Sequence, residues 1–298
     1  MLHHLNPVPL APTRVAIVGA NGFIGRAVAQ RLDEARVPVL CMGRREVDLL
    51  APDAADRLAA RLRDGDALVA TAAIAPCKNA EMLRDNMTLA LTIVRAAEKV
   101  KLAQVVNISS DAVYADLPVP LTEASATAPD TLHGVMHLAR EVMFRAEVKV
   151  PLASLRPTLV YGAGDTHNGY GPNRFRRLAV KREPIKLFGE GEERRDHVLI
   201  DDVAELVRRV LFCRSTGTIN VATGTVTSFR DVAEMVVRLS GYPVAIRGSK
   251  RVGPMPHNGY RAFDIAACRE AFPDFVYTPL AQGLAEAQRN AAKGGTAP

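Results

Sequence analysis

The feature that most constrains the fold is a glycine-rich segment near the start of the chain. Gly19, Gly22 and Gly25 are spaced three residues apart, directly after an apolar run at residues 14–18 and directly before an amphipathic helical pattern. Glycines at this spacing allow a tight turn, a close approach of the backbone to a pyrophosphate, and close packing of helix on strand. The amides and dipole at the start of the helix favour phosphate. The segment therefore predicts dinucleotide binding, and a turn used only for packing is the alternative.

The alternation of apolar runs and helical patterns continues through the first 160 residues. Apolar runs predict strands at 14–18, 37–41, 67–70, 105–108 and 152–155, and helical patterns predict helices at 24–32, 81–100 and 132–148. The strand runs contain few polar residues, which is typical of a parallel sheet covered by helices on both faces. We therefore predict an α/β fold with a doubly wound parallel sheet of the Rossmann type.

The pattern changes after Tyr161. Residues 162–173 hold four glycines, a proline and two asparagines, which predicts a loop. The sequence then predicts a basic helix at about 173–182 and a short strand at 185–188. The last third mixes short helices with Pro-rich connections. We predict a dinucleotide-binding domain formed by residues 12–163 plus about 197–222. A smaller mixed region at about 164–196 and 223–290 is predicted to bind substrate.

The net charge of +6 lies entirely in the second half of the chain. Residues 1–150 carry 17 basic and 17 acidic side chains, whereas residues 151–298 carry 21 and 15. Such an excess is typical of a nucleic-acid surface, a membrane surface or a pocket for an anionic small molecule. We expect no nucleic-acid partner, because the basic residues lack interleaved aromatics. The basic helix at about 173–182 also fits a solvated face.

Several other classes of protein are disfavoured by the sequence. No apolar run reaches the roughly 18 residues that a membrane span needs, and residues 1–7 lack the pattern of a signal peptide. The cysteines are scattered without a CxxC pair, which is typical of neither a disulfide framework nor a zinc ribbon; they are Cys41, Cys77, Cys213 and Cys268. We expect a cytoplasmic protein that does not bind a membrane or a metal ion.

The end of the second predicted strand bears on the choice of cofactor. NAD-preferring sites often place an acid there to accept from the adenosine ribose. This chain has Arg44 and Arg45, with no acid before Glu46. Guanidinium groups suit a 2′-phosphate, so we favour NADP over NAD. Two solvated surface arginines are the alternative.

A series of short motifs then follows in a fixed order along the chain. They are Asp48-Leu49, Ala70-Thr71-Ala72-Ala73, Asn86, Ser109-Ser110-Asp111-Ala112-Val113-Tyr114, Leu155-Arg156-Pro157, Val160-Tyr161-Gly162, Gly189-Glu190-Gly191, Arg195-Asp196-His197, Asp201-Asp202-Val203-Ala204 and Arg261-Ala262-Phe263-Asp264. Together with the glycine turn, they resemble the extended short-chain dehydrogenase/reductases. Within these, the match is to the NAD(P)-dependent epimerase/dehydratase group that modifies nucleotide-linked sugars.

The resemblance implies a set of binding residues. The implied cofactor contacts are Gly19, Gly22, Phe23, Ile24, Gly25, Arg44, Asp48, Leu49, Ala72, His137 and Pro157. Arg195 and Arg261 match positions that hold a nucleoside diphosphate, and Asn168 resembles a loop asparagine that some relatives direct at substrate. The resemblance also implies a homodimer, formed through the helices predicted at 81–100 and 132–148.

The chain departs from the family at the site of chemistry. The family normally carries Tyr-x-x-x-Lys, in which the Tyr transfers a proton while the Lys holds the nicotinamide ribose. Here that place reads His133-Gly134-Val135-Met136-His137, with the register fixed by Pro129, Gly134 and Glu141. Three interpretations stay open. The histidines catalyse, or the chain is a cofactor-binding pseudoenzyme with a regulatory or assembly role, or the pair binds a metal ion.

The motif at residues 109–114 restricts the class of reaction that we expect. Ser110 stands where the family has the hydroxyl that bonds the reacting oxygen, and Asp111 follows it. Dehydratases of the family carry a second acid at the next position, which is Ala112 here, so dehydration is disfavoured. We expect an enzyme that transfers hydride at a 4-keto or 4-hydroxyl centre of a nucleotide sugar, by reduction or by epimerisation. Asp111 is either an alternative proton donor or a turn cap.

Overall fold

The computed structural model describes residues 1–293 as an α/β protein. Its strands, in chain order, are β1 (Leu2–His4), β2 (Val15–Val18), β3 (Val39–Met42), β4 (Ala67–Ala70), β5 (Gln104–Ile108), β6 (Leu152–Pro157), β7 (Leu159–Tyr161), β8 (Ile185–Lys186), β9 (Arg194–Leu199), β10 (Ser215–Val221), β11 (Val226–Ser228), β12 (Ile246–Arg247) and β13 (Tyr260–Arg261). Its α-helices are α1 (Phe23–Glu34), α2 (Ala54–Ala59), α3 (Ala80–Glu98), α4 (Leu132–Glu147), α5 (Pro172–Val180), α6 (Ile200–Phe212), α7 (Phe229–Ser240), α8 (Ala266–Ala271) and α9 (Leu280–Lys293).

Seven strands form the main sheet, in the order β1-β10-β6-β5-β4-β2-β3. All neighbouring pairs are parallel except β1 with β10, which is antiparallel. The predicted doubly wound parallel sheet is therefore confirmed. Strands β1 and β10 of this sheet were not predicted. Strand β1 has three residues without alternation or β-branching and carries no local signal, and Gly217 interrupts the apolar pattern of β10. Strand β3 begins after Pro38, whose ring cannot donate to the ladder.

Both faces of the sheet are buried. Val15 and Ile17 of β2 belong to a cluster with residues of α1 and α6, while Ala16 and Val18 belong to a second cluster with residues of α3. Successive side chains of a strand point to opposite faces, so an uninterrupted apolar strand requires a helical layer on each side. The described part of the chain contains no helix long and apolar enough to cross a membrane.

A smaller mixed sheet lies beyond the carboxyl end of β6. Strand β9 is its centre and pairs with β7 and β13 in parallel and with β11 antiparallel, while β8 and β12 form a separate parallel pair. A third apolar cluster lies against this sheet and includes Tyr161, Phe175 and Phe229. The predicted smaller mixed region is thus confirmed as a structural layer, and it places Arg195 of β9 and Arg261 of β13 side by side.

Candidate active site

The glycine turn is folded as its spacing predicts. Gly19 has a φ of +91°, and a Cβ there would lie 2.6 Å from the backbone nitrogen of Ala72. A Cβ at Gly25 would overlap the carbonyl oxygen of Gly19. Gly22 precedes the first residue of α1, and no side chain within residues 1–293 caps that N-terminus. The turn therefore presents the amides at the start of α1 as a cradle that fits a phosphate group.

A cavity of about 260 Å³ opens beside this turn. It collects six of the predicted cofactor residues, which are Gly19, Gly22, Arg44, Asp48, Leu49 and Ala72. The five others lie outside its lining, and they are Phe23, Ile24 and Gly25 in the first turn of α1, His137 on α4, and Pro157 at the end of β6. The cavity wall also includes Thr71, Ala73 and Ile74, which continue the chain after β4.

Charged groups stand at the outer edge of the cavity. The Arg44 side chain is 80% exposed, and its Nε donates to Asp48 Oδ2 at 3.3 Å. The Leu50 amide donates to Asp48 Oδ1, and together with Arg44 it lowers the pKa of the Asp48 carboxyl. Glu46 Oε2 accepts from the backbone amide of Gly43 at 2.7 Å. This edge thus offers a guanidinium for a phosphate and carboxylates for ribose hydroxyls.

The predicted catalytic residues lie where β5 ends. Ser110 caps a 3₁₀ turn at Asp111–Val113, since its Oγ accepts from the Ala112 amide at 3.1 Å. Helix α4 packs directly on that turn, because a Cβ at Gly134 would overlap the carbonyl oxygen of Ala112. The glycine therefore brings His133, its neighbour on α4, close to Asp111.

The two histidines lie next to each other, with ring centroids 4.8 Å apart at an interplanar angle of 86°. Burial lowers the pKa of His133, an effect that Asp111 opposes and His167 reinforces. Burial also lowers the pKa of His137 well below its ordinary value, with help from His133 and Arg140. Both rings are therefore neutral near pH 7. Nδ1 of His137 is buried and has no hydrogen-bond partner in the described chain.

The same face of α4 contacts the wall of the cavity beside the glycine turn, which we call the dinucleotide-type cavity after that turn. The Cys77 amide donates to Nδ1 of His133 at 3.4 Å, and Arg140 donates to the carbonyl oxygen of Ala72. Since Ala72 lines the cavity, α4 is attached to the loop that forms the wall. The histidine pair is thus connected to the cavity wall through α4 and the loop after β4, while neither histidine lines the cavity itself. Residues 1–293 contain no group of three or more His, Cys, Asp or Glu side chains arranged to hold a metal ion.

Asp111 and the two predicted substrate arginines form a single ion-pair cluster. Arg261 Nε donates to Asp111 Oδ2 at 2.9 Å, and Arg195 Nη2 lies 3.6 Å from the same oxygen. Arg261 Nη1 also donates to Asp116 at 2.6 Å, and Arg195 Nη1 donates to Glu193 at 3.3 Å. The structure therefore brings together residues that were assigned to separate tasks, proton transfer and phosphate binding.

Sequence reasoning missed three members of this cluster. Asp116, Glu193 and His257 belong to none of the motifs, and His257 Nδ1 lies 2.6 Å from Asp116 Oδ1. His257 has a φ of +51°, a left-handed conformation that is uncommon for a non-glycine residue. The contacts of Asp116 with His257 and Arg261 join segments more than 100 residues apart, so the chain carries no local signal of them. Glu193 is only two residues from Arg195, but no motif marks it.

Asn168 lies in the exposed loop before α5. Its backbone amide donates to Asp165, and its Oδ1 accepts from Arg177 Nη1 at 3.1 Å. Within the described chain it makes no hydrogen bond to Ser110, Asp111 or the histidine pair. The loop nevertheless borders the site, because His167 acts on the pKa of His133.

Glu141, which helps to fix the register of α4, and the motif residue Arg156 form a buried framework. Arg156 of β6 forms a two-pronged ion pair with Glu141 of α4, with contacts of 2.9 and 2.6 Å. Ser109 donates to the same carboxylate, and Arg156 also donates to the Tyr114 hydroxyl. Arg156 thus ties α4 to the central strands behind the site.

Fold and site together define a Rossmann-type protein with a dinucleotide-type turn and a polar cluster at the carboxyl ends of its strands. The model of the NAD-dependent epimerase/dehydratase family matches residues 15–222. The chain belongs to that family.

Individual relatives agree with this assignment. The chain is 26% identical to a dTDP-4-dehydro-6-deoxy-D-allose reductase of Streptomyces bikiniensis, over 92% of this chain and 95% of that protein. It is 31% identical to a dTDP-L-rhamnose 4-epimerase of Burkholderia thailandensis, over 54% of this chain and only 46% of that protein.

Solved structures share the fold. A UDP-glucuronic acid 4-epimerase of Bacillus cereus, in complex with UDP-glucuronic acid and NAD, superposes with a TM-score of 0.81 at 22% identity and covers 94% of this chain and 99% of that one. A GDP-L-fucose synthetase of Naegleria fowleri bound to NADP gives a TM-score of 0.84 at 16% identity, with 98% and 97% coverage. At these identities the likeness concerns the fold alone.

Proposed function

We propose that this protein is an NAD(P)-dependent oxidoreductase or epimerase that acts on a nucleoside diphosphate sugar at a 4-keto or 4-hydroxyl centre. The observation that carries the proposal is the position of His133. Helix α4 packs on the turn that carries Ser110 and Asp111, because Gly134 lies against the carbonyl oxygen of Ala112. The Cys77 amide donates to the His133 ring and links it to the loop that forms the wall of the dinucleotide-type cavity. A hydrogen-bonding side chain thus lies between the cavity and the ion-pair cluster. The family membership and the curated reductase and epimerase relatives support the same class of reaction.

Each residue has a chemical task in this proposal. The nicotinamide ring, when bound, supplies or accepts the hydride. His133 is neutral and accepts at Nδ1, so its proton is on Nε2, and it donates a hydrogen bond to the sugar oxygen as negative charge develops there. Ser110 Oγ is a second donor to the same oxygen. Asp111, whose Oδ1 lies 3.4 Å from Ser110 Oγ, takes up the hydroxyl proton as a carboxylate when the sugar is oxidised. In the reduction direction it first takes up a proton from water and then gives it to the oxygen at C4.

The ion pairs of Asp111 couple this proton step to substrate binding. Arg195 and Arg261 contact Asp111 in the structure, and guanidinium groups bind phosphates in the same two-pronged way as carboxylates. A substrate diphosphate that binds these arginines competes with Asp111 for them. Substrate binding therefore releases the carboxyl group for proton transfer.

For the cofactor we propose NADP, with NAD as the alternative. Arg44 is exposed at the cavity edge, and its Nε lies 3.3 Å from Asp48 Oδ2. A contact that is this long and this exposed is weak, so Arg44 can leave it and bind a 2′-phosphate instead. The test compares the dissociation constants of NADPH and NADH for wild type and Arg44→Ala. We expect the preference for NADPH to fall in the variant, and an unchanged ratio removes Arg44 from the assignment.

We also propose a homodimer formed through α3 and α4. The outer side of α4 exposes Leu132, Val135 and Val142, and exposed apolar residues on one helix face are typical of an interface. Sedimentation velocity checks the oligomeric state, and Val142→Glu is expected to shift a dimer toward monomer.

A second candidate function follows from one observation, a buried histidine with an Nδ1 unpartnered within residues 1–293, at the position of the family lysine. The family lysine is a cation, whereas burial keeps His137 uncharged. That difference favours a catalytically impaired protein that binds the cofactor with a regulatory or assembly role.

One assay separates the two candidates. The protein is incubated with NADPH or NADH and a panel of UDP, dTDP and GDP sugars and their 4-keto derivatives, with His133→Phe as the control. Turnover that depends on His133 supports the enzyme. Dinucleotide binding without turnover on any member of the panel supports the impaired protein.

A further inference from the structure

Arg140 is a buried cation that the functional motifs do not include. It lies on α4, one turn after His137, and its side chain is only 2% exposed. Nη1 donates to the carbonyl oxygen of Ala72 at 2.6 Å, and Nη2 donates to that of Ala70 at 2.7 Å. Its Nε is buried without a partner, and no carboxylate in residues 1–293 pairs with it.

A buried charge without a counter-ion is costly to maintain. Removing a guanidinium from water is compensated only when an opposite charge or enough acceptors replace the water. Arg156 shows the usual solution, because Glu141 pairs with it in two places. Arg140 has two carbonyl oxygens and the ring of Phe144, whose centroid lies 5.3 Å away. Burial lowers the pKa of Arg140 to about 10, so it stays protonated at neutral pH.

The position of this charge is informative. Ala72, to which Arg140 donates, lines the dinucleotide-type cavity. The guanidinium therefore lies directly behind the wall of a cavity that the proposed function assigns to a molecule with at least two negative charges. His137, one helical turn before Arg140, is neutral and supplies no positive charge to that cavity.

We propose that Arg140 is a positioning residue of the dinucleotide site: it fixes the end of β4 as the cavity wall and supplies the positive charge that position 137 lacks. This inference rests on the proposed function, since it needs the cavity to bind a dinucleotide. The family pattern has a lysine where this chain has His137. In this proposal the positive charge of that lysine is moved three residues along α4, to Arg140, and is not lost.

The experiment compares dissociation constants of NADPH and NADH, measured by calorimetry on full-length protein. Arg140→Gln keeps amide donors and removes the charge, whereas Arg140→Lys keeps the charge. Arg145→Met removes an exposed arginine from the last turn of the same helix and is the matched control. We expect Arg140→Gln to weaken binding about tenfold, in line with a lost charge-assisted contact. Arg140→Lys should stay within about threefold of wild type, and Arg145→Met should have no effect.

A relocation test separates charge from mere packing. His137→Lys in the Arg140→Gln background restores a cation next to the cavity, so it is expected to recover most of the lost affinity. His137→Lys alone places two cations in contact and is expected to gain nothing. If Arg140→Gln fails to fold, Arg140→Met and the double variant Arg140→Met/His137→Lys are compared instead.

The outcomes discriminate between the two levels of the proposal. If wild type binds dinucleotide and Arg140→Gln binds it equally well, the inference is overturned. It is also overturned if Arg140→Lys loses as much affinity as Arg140→Gln, because Arg140 then only links α4 to β4 through hydrogen bonds. If the double variant recovers nothing, a relocated charge is likewise overturned. If wild type binds neither dinucleotide, the proposed function itself is wrong, and the role of Arg140 is overturned with it.

Discussion

The backbone amide of Cys77 donates to Nδ1 of His133 at 3.4 Å. A backbone N–H only donates, so this nitrogen is the acceptor and the single proton of the neutral ring is on Nε2. The contact fixes the tautomer of the residue that stands in the place of the family tyrosine. His133 is therefore a hydrogen-bond donor of fixed orientation rather than a charged acid.

The protonation state of His133 is directly measurable. Because burial lowers its pKa, we expect ¹⁵N NMR at pH 6.5 to show a neutral ring with the proton on Nε2. His133→Gln retains a donor of similar reach and should keep part of the turnover, whereas His133→Phe should remove it. A ring that is half protonated at pH 6.5 contradicts this assignment.

The ion pair of Asp111 with Arg261 predicts opposite effects on binding and turnover. Asp111→Asn removes the charge that competes with a diphosphate, so a nucleoside diphosphate should bind several-fold more tightly. The same change removes the proton-transferring carboxyl, so kcat should fall. Asp116→Asn is the control, because it also frees Arg261 but leaves Asp111 in place. Weaker nucleotide binding in Asp111→Asn speaks against the competition.

The Arg156–Glu141 pair predicts a stability effect without a binding effect. Removing one partner of a buried ion pair costs about 3–5 kcal/mol, so Arg156→Met should lower the free energy of unfolding by about that amount. The dissociation constant for NADPH of the folded variant should stay close to that of wild type. Glu147→Gln, an exposed acid on the same helix, serves as the control. A loss below about 1 kcal/mol would falsify the framework role.

His197 predicts how stability depends on pH. It is fully buried, and burial, followed by Arg195, lowers its pKa to about 3. The unfolded chain has a pKa near 6.5 and takes up this proton first. The stabilising contribution is therefore present above pH 6.5 and is lost as the pH falls toward 3.

The measurement for His197 is a difference between two proteins. The stability of wild type relative to His197→Phe should fall by about 1.4 kcal/mol per pH unit between pH 6 and pH 4. Asp196, whose pKa is raised to about 6 by burial, titrates in the same range with the opposite sign but is present in both proteins. A pH-independent difference between them places His197 in contact with solvent.

How far the sequence predicts this molecule depends on the range of each interaction. The glycine turn and strands β2 to β6 are local patterns, and the structure has them close to where the sequence puts them, from Gly19 at the turn to Pro157 at the end of β6. The parallel strand β10 was not predicted. The ion pairs are not local. Arg261 and Asp111 are 150 residues apart, and only the pairing of β13 with β9 brings Arg261 beside Arg195 and toward the end of β5.

Arg140 shows the same limit on a single helix. The sequence places it three residues after His137, but the side chain of a helical arginine more often reaches solvent than a buried strand end. Its burial depends on the packing of α4 against the end of β4, where Ala70 and Ala72 accept from it, and this packing is not encoded locally. Cys77, which fixes His133, is likewise brought there by the loop after β4 and not by a motif.

Hydride transfer to the sugar is the most direct measurement of the central claim. The protein is loaded with NADPH deuterated at the transferable position, is mixed with 4-keto nucleotide sugars, and the product is analysed by mass spectrometry and NMR. The proposed function predicts deuterium at C4 of the sugar for wild type and none for His133→Phe. Bound cofactor that keeps all of its deuterium, with the nucleotide sugar also bound, contradicts the account and leaves the chain as a cofactor-binding protein without this chemistry.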